Sequence, residues 1–218
     1  NAGGGYSRYG HAAVTRWRAD GTRDSYGQWC YLRDVATGRV WSTSYQPTCV
    51  APSSYSVVFS ADRVSFSRRD DDIETYTEIA VVSEDAAEVH RVTVMNRSLA
   101  AKEIELTSYG EIVLAPQAND RAHPAFGNLF VQTEWLEKNS AILASRRPRS
   151  NEEQTIWCAH VVAVGPEAVG GVTYETDRAR FIGRGRSRRF PAAMEPGGEL
   201  TGTAGAVLDP IFALRVRV

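Results

Sequence analysis

Apolar and polar positions alternate with a period of two along most of the chain, and helical periodicity is nearly absent. The runs 63–68, 74–81 and 88–95 alternate cleanly, so each predicts a strand with one face toward a core and one toward water. Polar turn chemistry separates them at Asp70-Asp71-Asp72, at 83–86 and at 96–99. A longer β run covers 102–115. The runs 128–135, 141–146 and 156–164 continue the series after a loop at 116–127, whose centre at 121–126 predicts a single short helix. Numerous long strands in meander order predict an all-β fold, a large two-sheet antiparallel super-sandwich with few or no helices. Neither an internal repeat nor a Pro/Ser-rich linker divides the chain, so residues 1–218 read as one domain. The last run, 211–218, alternates to its final residue and is expected to pair with a strand beyond the terminus. Together with an opening inside a glycine turn, this predicts a domain excised from a longer polypeptide.

Composition narrows the partners. The 218 residues carry 25 Lys+Arg against 26 Asp+Glu, a formal net charge of −1, which argues against a dedicated electrostatic nucleic-acid binder. No run approaches the roughly 20 apolar residues that span a bilayer, and the start has no signal-peptide pattern, so no membrane contact by this domain is expected. Cys30, Cys49 and Cys158 make an odd, scattered set, unlike a secreted disulfide framework and consistent with a reducing, cytoplasmic setting.

Few motifs carry chemistry. Metal ligation would need close Cys/His spacings; Cys158 and His160 stand two apart on one strand face, but no CxxC or HxxxH spacing supports them, so no metal and no cofactor are expected. The cysteines read as small core residues, and the triple aspartate reads as a hairpin turn. The segment 178–189 holds six arginines around Gly183 and Gly185. By composition it is a loop of solvated arginines, able to hold a phosphate bidentately.

The first eighteen residues concentrate the parts of a sugar site. Gly3, Gly4 and Gly5 allow close approach of the backbone to a ligand or another domain, and lead into Tyr6, Tyr9, Arg16, Trp17 and Arg18. An aromatic face suits the apolar face of a pyranose and a guanidinium suits its hydroxyl rim. The blander alternative is a glycine leader before a half-buried edge strand.

GGGYS at 3–7, VTRWR at 14–18, DSYGQW at 24–29, YLRD at 31–34 and Trp41-Ser42, with DIET at 72–75, VTVMNRS at 92–98, ELTSY at 105–109, HPAF at 123–126, YETDR at 174–178 and FIGRG at 181–185, together resemble a known family. They resemble the N-terminal β-sandwich of glycoside hydrolase family 94, formerly glycosyltransferase family 36, and in particular the copy near the C-terminus of cyclic β-1,2-glucan synthases. The resemblance covers nearly the whole chain. It implies a galactose mutarotase-like super-sandwich in a parent enzyme, a phosphorylase or cyclic β-1,2-glucan synthase acting on β-glucosides, with inorganic phosphate as co-substrate. The family's general acid and phosphate ligands lie in a following (α/α)6 barrel, so no catalytic residue is carried over. What the resemblance implies for this domain is packing on that barrel, shaping its cleft for a β-linked gluco-oligosaccharide, and helping to form a homodimer, in a cytoplasmic parent with inner-membrane association. Tyr6, Arg16, Trp17, Arg18 and Trp29 are the candidates for sugar contact or the barrel interface. Two alternatives stand beside this: a mutarotase-like epimerase using one of His11, His90, His123 or His160 with a glutamate, and a purely structural interaction module.

Overall fold

A computed structural model describes residues 2–20, 22–150 and 153–218. One layer is a seven-stranded antiparallel sheet in which the path β1 (Arg8–Tyr9), β2 (Ala12–Thr15), β9 (Ile104–Pro116), β14 (Pro210–Arg217), β13 (Thr173–Asp177) is joined by β3 (Trp29–Asp34) on β9 and β4 (Val40–Ser42) on β3. The second layer is split into two ladders: β5 (Ser54–Phe59), β6 (Arg63–Asp70), β7 (Ile73–Val81) and β8 (Glu88–Asn96) in order, and β10 (Val131–Leu136), β11 (Ala141–Arg146) and β12 (Ile156–Val161) in order. The expected two sheets are thus two layers built from three ladders.

β9 is the spine, and its side-chain alternation explains both layers. Ile104 and Leu106 pack with Leu32, Trp41, Ile73 and Val94 against the four-stranded ladder. Ile112 and Leu114, on the same face, pack with Val131, Ile142, Phe212 and Leu214 against the three-stranded one. The opposite face of β9 carries Glu105, Thr107, Tyr109 and Glu111, all buried. There Tyr109 joins Trp29, Tyr31, Phe181, Met194 and Ile211 in an aromatic cluster. Burying side chains of this size contributes about 1.5–3 kcal/mol each.

Three expectations need correction. The C-terminal strand β14 finds its partners inside the chain, β13 on one side and β9 on the other. The helical loop is two short helices, α1 (Gln117–Ala122) and α2 (Pro124–Asn128), broken at His123, the residue before a proline. The arginine segment is not a solvated loop throughout: Arg178–Ile182 forms a third helix, α3, capped by the Asp177 carboxylate accepting from Ala179 N at 2.8 Å, and it buries Phe181 and Ile182. Arg178 and Arg188 turn inward, while Arg184 and Arg189 stay exposed, Arg189 donating its Nε to the Thr48 carbonyl. Among the described residues no helix is long and apolar enough to cross a bilayer.

The triple aspartate is a hairpin turn with a second role. Asp71 takes the turn at φ 52°, while Asp70 is buried and accepts from Arg68 Nε at 2.6 Å and Nη2 at 2.8 Å. Arg68 also donates to the carbonyls of Ser44 and Val50, both at 2.9 Å, and so satisfies a charge sealed inside the sandwich.

Candidate functional site: an arginine cleft at the end of the spine strand

The first hairpin delivers the N-terminal candidates. Tyr6 lies against Ala13, Val113 and Ala115, and its ring stacks on Trp17 at 5.5 Å between centroids and 17° between planes. The glycines before it serve internal packing: a Cβ on Gly3 would lie 2.4 Å from the Ser44 side chain, and one on Gly4 would lie 2.2 Å from Asp24 Oδ1. Ordinary side chains there would collide with this same chain.

Arg16 follows β2 directly and points inward. Its Nε and Nη2 donate to Asp120 Oδ1 at 3.1 and 3.0 Å, Nη2 also to Asn128 Oδ1 at 3.0 Å, and Nη1 to Glu111 Oε2 at 3.1 Å and Asp209 Oδ1 at 3.4 Å. Glu111 further accepts from the Tyr109 hydroxyl at 2.9 Å and Arg178 Nε at 3.0 Å, and Arg188 Nη1 stands 3.5 Å away. Burial pushes the Glu111 carboxyl up, but Arg188, Arg16, Arg178 and the Tyr109 hydroxyl outweigh it and hold the group below its ordinary value. Burial likewise pulls Arg16 down, and Asp120, Glu111 and Asp209 more than reverse this, so its proton is held more tightly than usual.

Arg16, Arg18, Arg178, Arg188, Tyr26 and Asp209 line a cleft of about 430 Å³ above this network. Arg188 stands over the Tyr26 ring at 4.4 Å from its centroid, and Arg18 at 6.0 Å. Pro124, Ala125 and Leu208 add apolar lining. The arrangement suits recognition of polar or anionic groups. It does not suit proton transfer, because the carboxylates that reach it are saturated by guanidinium donors.

Of the five candidates read from sequence, Arg16 and Arg18 line the cleft, and Tyr6 and Trp17 form the stacked pair at the neighbouring edge. Trp29 lies elsewhere: it is 3% exposed inside the aromatic cluster, with its indole nitrogen buried and lacking a partner among the described residues. Arg178 and Arg188 come from the arginine segment that the sequence marked as able to hold a phosphate, whereas Tyr26, Glu111 and Asp209 were not singled out by sequence. A detectable signal existed for Glu111, an acid set in the apolar stretch of a long strand, since such residues are rarely buried unless paired.

The histidines divide. His160 is buried and shares a 2.8 Å hydrogen bond with Ser108 Oγ; burial, then His90, lowers it to about 4. His90 Nε2 lies 2.5 Å from Glu88 Oε1, which Ser7 and Gln28 also contact at 3.0 Å. Neither His90 nor Glu88 lines the arginine cleft. Among the described residues no group of His, Cys, Asp or Glu converges as a metal site.

The family model described as the glycosyl hydrolase 94 supersandwich domain matches residues 1–218. A cyclic β-(1,2)-glucan synthase from Rhizobium meliloti (strain 1021) is 38% identical over 214 residues, covering 98% of this chain and 8% of that protein. Solabiose phosphorylase from Paenibacillus borealis is 23% identical over 223 residues, 98% of this chain and 28% of the relative. N,N'-diacetylchitobiose phosphorylase from Vibrio furnissii is 28% identical over 199 residues, 89% of this chain and 24% of the relative. The chain therefore spans 8 to 28% of the length of these relatives.

Proposed function

The chain belongs to the glycosyl hydrolase 94 supersandwich family, and from that premise we propose that it is a non-catalytic, carbohydrate-associated domain of a larger enzyme that makes or cleaves β-glucosidic bonds. Inorganic phosphate is the co-substrate of that parent. The domain packs against an (α/α)6 catalytic barrel of the same polypeptide and shapes the sugar-binding end of its cleft. Three free thiols suit a reducing compartment, and the domain belongs on the cytoplasmic side.

One observation carries the non-catalytic reading. Glu111, the buried carboxylate of the cleft, is held ionised by Arg16, Arg178 and Arg188. A general acid for glycoside cleavage needs a raised pKa, and Glu111 is shifted the other way. The sequence relationship agrees: the same domain recurs as a minor part of a synthase and of two phosphorylases whose names differ in substrate, as expected of a shared scaffold.

Contact with saccharide falls to the edge formed by Tyr6, Trp17 and Arg18, where a half-buried aromatic stack adjoins a half-buried guanidinium. Titrating the chain with β-1,2-linked gluco-oligosaccharides while following amide chemical shifts tests this. Shifts confined to residues around Tyr6 and Trp17 are expected; a flat titration removes the sugar contact and leaves a packing scaffold.

A further inference from the structure

The cleft holds an electrostatic imbalance that the internal network does not resolve. Glu111 faces Arg16 and Arg178 and accepts from Tyr109. Asp209 faces Arg16 and Arg178 and accepts from Asn128 Nδ2 at 2.9 Å. Asp120 is taken by Arg16. Four guanidinium groups thus stand against three carboxylates. The excess charge is localised: Arg18 makes no hydrogen bond or ion pair with another described residue, its contact being the Tyr26 ring, and its Nε is buried without a partner. A buried donor left unmet costs its full desolvation penalty, so this fork is set to receive an acceptor. Arg188 also faces Glu111, but at long range, with Glu111 Oε1 and Ser25 Oγ both at 3.5 Å, while its guanidinium lies over the Tyr26 ring.

We propose that Arg18 and Arg188 form a binding site for a tetrahedral phosphate oxyanion in the cleft walled by Tyr26. Planar forks match the edges of such an anion bidentately. The carboxylates that would repel it are neutralised by their own partners. The cleft, at about 430 Å³, has room for the anion and for an organic substituent against Pro124, Ala125 and Leu208. Inorganic phosphate and a phosphate monoester share the required chemistry. The site shares Arg18 with the saccharide edge, but Arg188 and Tyr26 belong to the cleft alone and Tyr6 and Trp17 lie outside it, so Arg188→Gln separates failure of the anion site from failure of the sugar contact.

Isothermal titration of the chain at fixed ionic strength, with inorganic phosphate and separately with methyl phosphate, tests the site. Binding of methyl phosphate as tight as that of inorganic phosphate identifies an ester ligand; binding of inorganic phosphate alone identifies the free ion. Arg18→Gln and Arg188→Gln are each expected to weaken binding about tenfold or more, and Arg18→Lys, which keeps the charge and loses the fork, by less. Arg184→Gln, at an exposed arginine of the same segment that lies outside the cleft, is expected to bind like the unsubstituted chain. Absence of heat with both anions, unchanged binding by Arg18→Gln, or an equal loss by Arg184→Gln overturns the site. Should Arg188→Gln fail to fold, the two Arg18 variants decide the matter.

Discussion

The indole of Trp29 fills the space that a side chain on Gly27 would need: a Cβ there would lie 2.7 Å from both Cη2 and Cζ2 of the ring. Trp29 is buried in the aromatic cluster and has no room to retreat. Gly27→Ala is therefore expected to destabilise the fold by about 1–3 kcal/mol through overpacking, whereas Gly5→Ala, with nothing within 4 Å of its Cβ, is expected to change little. Urea unfolding of the two variants distinguishes them, and equal stabilities would refute the packing argument.

The same tryptophan marks the limit of what the sequence discloses. The alternating strands at 63–68, 74–81 and 88–95 are visible from period two because their pairing is local, each with the next. Trp29 reads as a surface aromatic, because the segment that buries it, with Phe181, Met194 and Leu200, lies more than 150 residues downstream, and no local pattern says which face of a strand will be covered. Distance in sequence hid the partners of β14 for the same reason. The cleft was half legible: Arg16 and Arg18 stand out in the VTRWR motif, while Glu111 and Arg188 gain meaning only once β9 and the downstream arginine segment meet.

Asp70 is the counter-charge of a fully enclosed arginine. Asp70→Asn leaves Arg68, 2% exposed, with an uncompensated charge and is expected to cost about 3–5 kcal/mol. The neighbouring Asp71→Asn retains a residue tolerant of the left-handed turn conformation and is expected to stay within about 0.5 kcal/mol. Chemical denaturation of both checks the contrast; a mild effect at Asp70 would mean that the Ser44 and Val50 carbonyls alone can hold the guanidinium.

His160 is expected to make stability fall with acidity. Burial, reinforced by His90, lowers it from 6.5 to about 4, and Ser108, His90 and the ring of Phe212 at 5.3 Å surround it. Between those two pH values the unfolded chain binds a proton that the folded chain refuses. Stability from this group is therefore complete above about pH 6.5 and declines as pH falls toward 4, by up to about 1.4 kcal/mol per pH unit. Glu88, Glu105 and Glu111, all held below their ordinary values, lose stability at lower pH, as pH falls below the unfolded carboxylate value. Urea midpoints measured across this range should slope for the unsubstituted chain and flatten between pH 6.5 and 5 for His160→Gln. A slope unchanged by the substitution assigns the effect elsewhere.

Arg16 and Arg18, two residues apart in one motif, are expected to behave oppositely. Arg16 is the hub on which Asp120, Glu111 and Asp209 converge. Arg16→Gln strands buried carboxylates and should cost about 3–5 kcal/mol, a large share of the roughly 5–15 kcal/mol that holds an ordinary domain folded. Loss of ligand binding by that variant would then report the fold and not a contact. Arg18 carries a buried Nε donor that nothing within the described chain satisfies, so Arg18→Gln removes an unmet donor and should leave the unfolding midpoint unchanged or slightly raised. Thermal unfolding of the two variants separates the structural arginine from the one left available to a ligand. A marked loss of stability at Arg18 would show that its charge already has an internal use, and the cleft would then lose its case as a recognition site.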